Sequence, residues 1–476
     1  MISPLLAFAV WIPVSILLFR RYPIRIAILA NFLGGWAVLP SAQYVGPHVD
    51  FAYWIIGVSL PSNYFITKAT VLSLAALGNV LLLDRRAFRR FELTSWDLPM
   101  ALWCVAPILS ALANPGQIKQ SLVGEAYQLL AWGVPYLLGR LYFSDSVSLR
   151  LAAKAFIIAG MFYVPICLVE IFVGPQFYAH IYGYEPFRWT GAPRYFGYRP
   201  VGFLETGNQL GIWMATSALI AAWLGSRRTA PRILGIPCAW IAVVLFVVTL
   251  ACQSIGSIIL LLGLLPFVFI SMRFLPRVVT IVVISSMLLF AGLRLENQFS
   301  VRRLVQNNYA AHSVSSFLNK IGRGSFTWRL AVDERFVDKA LDQPILGSGD
   351  WKWWAGGDVR PWGMWMLTFG MYGLVGLIAL ESLLLLPVIR VVWFTVARSD
   401  IEDFNLRHAL AAAILMSAVD GLLNSSMLLP LVLVIGGMST WESAASNVRV
   451  EVEISPAMRF RALKKMDVTY KSSRLR

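Results

Sequence analysis

Long apolar runs alternate with short polar connections along most of the chain. The runs fall at 3–19, 24–41, 65–84, 97–113, 121–139, 151–173, 203–225, 233–251, 255–271, 277–294, 363–389, 407–421 and 425–441. Many approach the roughly 20 residues that cross the hydrocarbon core of a bilayer. They predict an all-α fold, a polytopic transmembrane helix bundle of about thirteen spans, with twelve as the alternative count. The stretch FAYWIIGVSLPS at 51–62 is apolar but too short to span, and is expected to lie in the interface or re-enter.

Basic residues mark every second connection. Arg20, Arg21 and Arg25 follow the first run, Arg85, Arg86, Arg89 and Arg90 the third, and Arg140 and Arg150 the fifth. Arg227, Arg228 and Arg232 follow the seventh, Arg273 and Arg277 the ninth, and Arg390, Arg398 and Arg407 the eleventh. The tail adds Arg449, Arg459, Arg461, Lys464, Lys465, Lys471, Arg474 and Arg476. By the positive-inside bias, these loops and the C-terminus are expected in the cytoplasm and the N-terminus outside. A single miscounted span would break this phase. The expected organisation is one membrane domain over 1–445 and a basic cytoplasmic tail over 446–476.

Composition agrees with this picture. The chain has 476 residues, 58% hydrophobic and only 14% charged, with mean hydropathy +0.67. Soluble domains carry about a quarter charged residues. A net charge of +16 would point to nucleic acid in a soluble chain, but here it sits in short clusters between apolar runs, and no nucleic-acid partner is expected. Cys104, Cys167, Cys238 and Cys252 lie in or beside apolar runs without CxxC spacing, which suggests neither a disulfide framework nor a zinc site. No basic residue precedes Arg20, so the first run lacks the n-region of a cleaved signal and is expected to be a retained span.

Two outside connections are long, at about 174–202 and 295–362. Both carry arginine against the positive-inside bias. In the larger, FTWRLAVDERFVDKALD predicts an amphipathic helix with Phe326, Leu330, Val337 and Leu341 on one face, ended by Pro344 and Gly347. Many of the basic residues here are expected to be solvated or paired with Asp333, Glu334 and Asp338. The run 185–211, EPFRWTGAPRYFGYRPVGFLETGNQLG, differs: Arg188, Arg194 and Arg199 stand among aromatics and lead directly into a span. Guanidinium suits phosphate because its planar fork donates two charge-assisted hydrogen bonds together. Aromatics at a membrane face suit sugar rings and headgroups, and an interfacial belt equally. Glu125, Glu170, Glu381 and Asp420 lie in or near spans, where ionisable groups are costly and often functional. Asp420, in DGLLNSS near the outer face, is the best candidate of these; Glu170 could simply sit at the outer interface.

RPVGFLETGNQLG resembles a motif of bacterial O-antigen ligases and polymerases: an arginine, Gly-Phe, an acid, an Asn and a Gly opening a span. QSIGSIILLL is similar to a short family segment, with Ile255 where the family often has Arg. WRLAVDERFVDKALDQPILGSGDWKWW resembles the family's large-loop segment, and WGMWMLTFGMYGLVGL the Gly-Leu-x-Gly span that follows. The order and spacing agree over about 185–380. The ligase branch has a His where this chain has Trp362, eleven residues before Gly373. The Asp358…Trp362 pattern resembles repeat-unit polymerases instead, so the polymerase branch is preferred to the ligase.

The resemblance implies an inverting, metal-independent glycosyl transfer without a cofactor. A sugar hydroxyl attacks an oligosaccharide carried on undecaprenyl diphosphate, and the diphosphate leaves. Arg194, Arg199 and Arg329, with Arg360 as a fourth, are the candidate diphosphate ligands. Glu205 is the first candidate for the base and Asp358 the second. Glu205 could instead cap the first turn of its span. Arg188, Asn208 and Asp420 are further candidates. The implied partners are the polyprenyl-diphosphate-linked oligosaccharide, the bilayer of a bacterial inner membrane, a chain-length regulator and export proteins. A transporter is the chief rival; it would favour polar, broken spans, whereas these spans look plain. A mannosyltransferase-like enzyme would need acids within 42–64, which holds only Asp50.

Overall fold

The computed structural model describes residues 1–42, 65–89, 91–185, 193–226, 231–269, 274–296, 300–320, 325–355, 359–394, 401–425 and 427–439. The 51–62 stretch, Arg188, Asp358 and the 446–476 tail lie outside the described residues.

The protein is all-α. Each apolar run of the sequence carries a helix. Among the described residues, five are long and apolar enough to cross a membrane: Pro4–Arg21, Ser95–Ala113, Ser146–Val173, Leu275–Leu295 and Met364–Trp393. Shorter apolar helices lie at Ile24–Val38, Lys68–Leu83, Cys238–Ala251, Ile255–Leu265 and Leu429–Ser439. The outer helices leave Leu6, Leu17, Leu288 and Leu289 more than half exposed. Such an apolar exterior is suited to lipid rather than water. The Leu429–Ser439 helix, by contrast, is buried on all sides, and so is most of Gly207–Gly225. A helix apolar all round belongs at the centre of a bundle. Trp36, Trp103, Trp132, Trp213 and Trp365 fill the space between the packed helices.

Several helices are less plain than their hydropathy implies. Ala30–Gly34 and Leu129–Gly133 are single π-turns inside otherwise α-helical runs. The Met364–Phe394 helix breaks at Gly373, whose φ of 61° and ψ of −160° are open to glycine alone. The 344–349 loop docks into this break. Leu374 N–H donates to the Pro344 carbonyl at 2.8 Å, and Gly349 N–H to the Met371 carbonyl at 2.9 Å. Ser110 and Asn114 bind the Gly347 carbonyl from the Leu98–Ala113 helix. The backbone groups freed by the break are thereby satisfied, as a low-dielectric setting requires.

The large outer loop also differs from its pattern. The single amphipathic helix is three pieces: Ser325–Asp333, a 3₁₀ turn Glu334–Phe336, and Val337–Leu341. The tighter turn rotates the second piece, because 3₁₀ geometry has about 3.0 residues per turn against 3.6. Val332, Phe336, Val337 and Ala340 are therefore the buried face, and Leu341 is exposed. The side chains of Phe326 and Leu330 lie outside the described residues.

The break at Gly373 gives a direct test. A Cβ there would come within 2.3 Å of the Ile345 carbonyl carbon. Gly373→Ala should destabilise the protein by about 1–3 kcal/mol or more from backbone strain alone. Gly292→Ala, in a helix interior with nothing within 4 Å of the added methyl, should be neutral or stabilising by about 0.5–1 kcal/mol. Thermal unfolding of both variants in one detergent decides it; equal midpoints would show that the docked loop does not depend on the break.

Candidate functional site

The site is built from the 193–211 run upward. Arg194 N–H donates to the Gly197 carbonyl at 2.8 Å, closing a tight turn, and Tyr198 N–H binds the Ile171 carbonyl at 2.8 Å. Glu170, at the end of the Ser146–Val173 helix, is buried and accepts the backbone N–H groups of Val201 at 2.8 Å and Gly202 at 2.7 Å. Its other oxygen accepts Phe177 N–H at 3.3 Å. Glu170 is thus a backbone clamp that sets the path of the chain between Arg199 and the next helix.

That helix, Gly207–Gly225, is capped by Thr206, whose hydroxyl accepts Gln209 N–H at 3.2 Å. The capping role considered for Glu205 therefore belongs to its neighbour. A Cβ on Gly207 would lie 2.5 Å from Arg199 Nε, so only glycine lets the guanidinium rest across the first turn. Arg199 Nη2 donates to Asn208 Oδ1 and to Ser254 Oγ, the latter at 3.0 Å. Ser254 comes from the QSIG segment that precedes the Ile255–Phe269 helix.

Asn424 joins the two long connections. Its Oδ1 accepts from Asn208 Nδ2 at 3.1 Å and from Arg329 Nη1 at 2.5 Å. Its Nδ2 donates to Asp420 Oδ1 at 2.7 Å. Arg199 and Arg329, 130 positions apart in the sequence, are therefore linked through two amides. Arg360 is buried and donates from both terminal nitrogens to Ser425 Oγ at 3.2 Å. Trp362 carries guanidinium groups over its indole, Arg360 at 4.6 Å and Arg329 at 5.5 Å from the ring centroid. Asp333 holds this segment by accepting Trp362 N–H at 2.7 Å and Gly363 N–H at 3.1 Å.

Glu205, Thr206, Asn208, Arg360, Trp362, Asn424 and Ser425 line a narrow cleft. Of the four arginines expected to act together, Arg360 lines it directly. Arg199 and Arg329 stand behind Asn208 and Asn424 rather than facing the cleft themselves. Arg194 lies close enough to Arg329 for their like charges to oppose one another. Burial is the largest influence on Arg329 and pushes its pKa down, while Asp420 and Asp333 push it up. A guanidinium stays protonated regardless, so the cluster is a concentrated positive charge. Glu205 Oε1 accepts from Ser41 Oγ at 2.9 Å and pairs with Lys68 Nζ at 3.1 Å. Glu125 and Glu381, the other acids in apolar helices, are not among the residues lining the cleft.

Asn424, Ser425, Ser254, Ser41 and Lys68 complete the site without having been singled out by the sequence. Asn424 and Ser425 belong to the DGLLNSS segment that draws attention through Asp420. Lys68 carries a signal of its own, a cation at the outer edge of a run where the charge bias disfavours one.

Asp333 provides a pH test. Burial raises its pKa from 3.8 to about 6, against the lowering effect of the Trp362 and Gly363 N–H groups, Arg294 and Arg360. Because the folded value exceeds the unfolded one, its contribution to stability is full below about pH 4 and is lost as pH rises through about 6. The loss is on the order of 2–3 kcal/mol. Asp333→Asn should remove this decline; unfolding midpoints of wild type and variant that run parallel from pH 4 to 7 would contradict the assignment.

Among known proteins, no family model matches the chain and no curated protein matches it, so the chemistry has to be argued from the cleft itself.

Proposed function

We propose that this protein is a membrane glycosyltransferase that polymerises oligosaccharide repeat units. The units are carried on undecaprenyl diphosphate and joined into exopolysaccharide or O-antigen on the periplasmic face of a bacterial inner membrane. One observation carries this reading: Arg360 lines a cleft beside Trp362 and a buried carboxylate, and Arg199 and Arg329, from two separate long connections, donate to the Asn208 and Asn424 side chains that line the same cleft, with Arg194 near Arg329. A leaving diphosphate needs several cations at once. Its oxygens would replace neutral amide and hydroxyl acceptors on these guanidinium groups with stronger charge-assisted partners. Trp362 and Trp328, whose rings meet edge to face at 5.7 Å, offer an aromatic surface for sugar.

In this scheme the acceptor hydroxyl attacks the anomeric carbon from the side opposite the diphosphate, and Glu205 takes its proton. The configuration at that carbon inverts. The resemblance of RPVGFLETGNQLG and of the large-loop segment to O-antigen ligases and polymerases supports the same chemistry. Trp362, packed against two arginines where ligases carry histidine, favours polymerase over ligase. The broken helix at Gly373 is a feature that transporters also use. Here, however, the 344–349 loop satisfies the backbone groups around the break, which argues against an open ion- or substrate-binding helix end.

Purified protein in lipid, given a polyprenyl-diphosphate oligosaccharide, should release the diphosphate and lengthen the glycan. Arg199→Lys and Arg329→Lys keep the charge but lose the planar fork. Each should cost about 1.5–3 kcal/mol, or roughly ten- to a hundred-fold in transfer. Normal yield from both variants at limiting enzyme would remove the arginines from the reaction.

The topology is a second test. The alternating arginine clusters put the 295–362 loop in the periplasm and the C-terminal tail in the cytoplasm. A membrane-impermeant thiol reagent should label Ser315→Cys in intact cells and leave Ser472→Cys untouched. Labelling of Ser472→Cys would invert the orientation and, with it, the side on which the chemistry occurs.

A further inference from the structure

Lys68 is the first residue of the Lys68–Leu83 helix, and its side chain is fully buried. A cation at a helix N-terminus opposes the helix dipole, and a buried cation loses its hydration. The helix does not need it for capping: Thr67 and Thr70 form a reciprocal capping box. Lys68 Nζ rests 4.1 Å over the Trp36 ring and 3.1 Å from Glu205 Oε1. Ser41 binds the same carboxylate oxygen at 2.9 Å, and its carbonyl accepts Lys68 N–H at 3.0 Å. Gln209 fixes the Glu205 backbone by accepting its N–H at 3.0 Å. Glu205 Oε2 is buried and has no hydrogen-bond partner among the described residues, although the residue lines the cleft beside Arg360 and Asn208.

We infer that Lys68 is a positioning residue for Glu205: together with Ser41 it engages the carboxylate through Oε1 and leaves Oε2 to meet the acceptor hydroxyl. The inference rests on the glycosyl-transfer reading for its chemistry. The hydroxyl proton passes to Oε2 while the oxygen's electron pair forms the bond to the anomeric carbon. The bond from that carbon to the diphosphate oxygen breaks, and its electron pair leaves with the diphosphate, held by the arginines. A carboxylate with one oxygen engaged and the other open can accept a proton in one direction only. Lys68 thus selects which oxygen reacts without touching substrate.

The test uses the full chain in lipid nanodiscs and has two readouts. The first is transfer. Lys68→Met should lower turnover per folded molecule by about tenfold or more, with the KM for the lipid-linked donor within about twofold. Glu205→Gln should do the same, and the double variant should be no slower than Glu205→Gln, because residues acting as one unit do not add. The second readout needs no substrate. A hydrophobic carbodiimide should spare Glu205 while Lys68 and Ser41 engage its Oε1 in the wild type, and label it in Lys68→Met, as read by peptide mass spectrometry. Normal turnover per folded molecule in Lys68→Met, or unchanged labelling, overturns the inference. Labelling that follows Lys68 in a protein that transfers no sugar upholds the pairing and rejects glycosyl transfer instead. If Lys68→Met does not fold, Lys68→Arg keeps the charge: it should fold, stay unlabelled and lose turnover at unchanged KM, and full turnover there would equally overturn the inference.

Discussion

The site depends on holding guanidinium groups close together on side chains that bridge separate parts of the chain. Arg199 donates to Asn208 and Ser254, Arg329 to Asn424, and Arg360 to Ser425. Each of these acceptors is a neutral oxygen. A neutral acceptor satisfies a buried N–H and leaves the positive field in place. Carboxylates at the same positions would have satisfied the donors and erased the field. The nearby acids are arranged accordingly. Asp420 is turned to Asn424, and Asp333 is committed to two backbone N–H groups. Repulsion between the arginines is then a standing cost, and an anionic ligand relieves it. That is preorganisation in the electrostatic sense: the dipoles and charges already point at the place where negative charge will appear.

The rest of the fold keeps this cluster from relaxing. Asn424 follows the Ile401–Gly421 helix, Asn208 opens the Gly207–Gly225 helix, and Arg329 sits on the loop helix Ser325–Asp333. One amide therefore ties three separately anchored elements. The loop helix is itself positioned by its buried face of Val332, Phe336, Val337 and Ala340. Farther along the chain, the 344–349 loop is locked into the break at Gly373. Loops are ordinarily the most mobile parts of a protein. Here both long connections are tied to helix termini by hydrogen bonds, so the arginines they carry have little freedom to separate.

Much of this was legible in the sequence, and the reasons differ by element. The helices follow directly from apolar runs, because an apolar stretch of that length has few other ways to satisfy its backbone. Arg194, Arg199, Arg329 and Arg360 are legible because they break the alternation of basic and non-basic connections along the chain. Asn208 and Asp420 came with their motifs. Asn424 and Ser425 were not foreseen, since a neutral residue in an apolar setting gives no charge signal, and its importance appears only when two distant loops meet on it. Lys68 is as costly in a span as an acid, but its partner Glu205 lies 137 positions away, so the pairing has no local pattern. The break at Gly373 and the 3₁₀ turn at Glu334–Phe336 are backbone events. Gly-Leu-x-Gly marks the first only as a flexible place, and the second arises from packing that a periodic pattern does not contain.

Two buried glutamates on either side of the RPVGF run show how environment separates scaffold from chemistry. Glu170 and Glu205 are each about 1% exposed. Glu170 spends both oxygens on main-chain N–H groups from three residues. Such a carboxylate is tied to the backbone through both of its oxygens. Glu205 places its contacts on one oxygen, and both partners, Lys68 and Ser41, are side chains. Its second oxygen is buried and has no hydrogen-bond partner among the described residues. Composition and burial alone would have ranked the two residues equally. The difference lies in which atoms are already engaged: Glu170 is the clamp that shapes the loop, and Glu205 keeps one oxygen without a hydrogen-bond partner among the described residues.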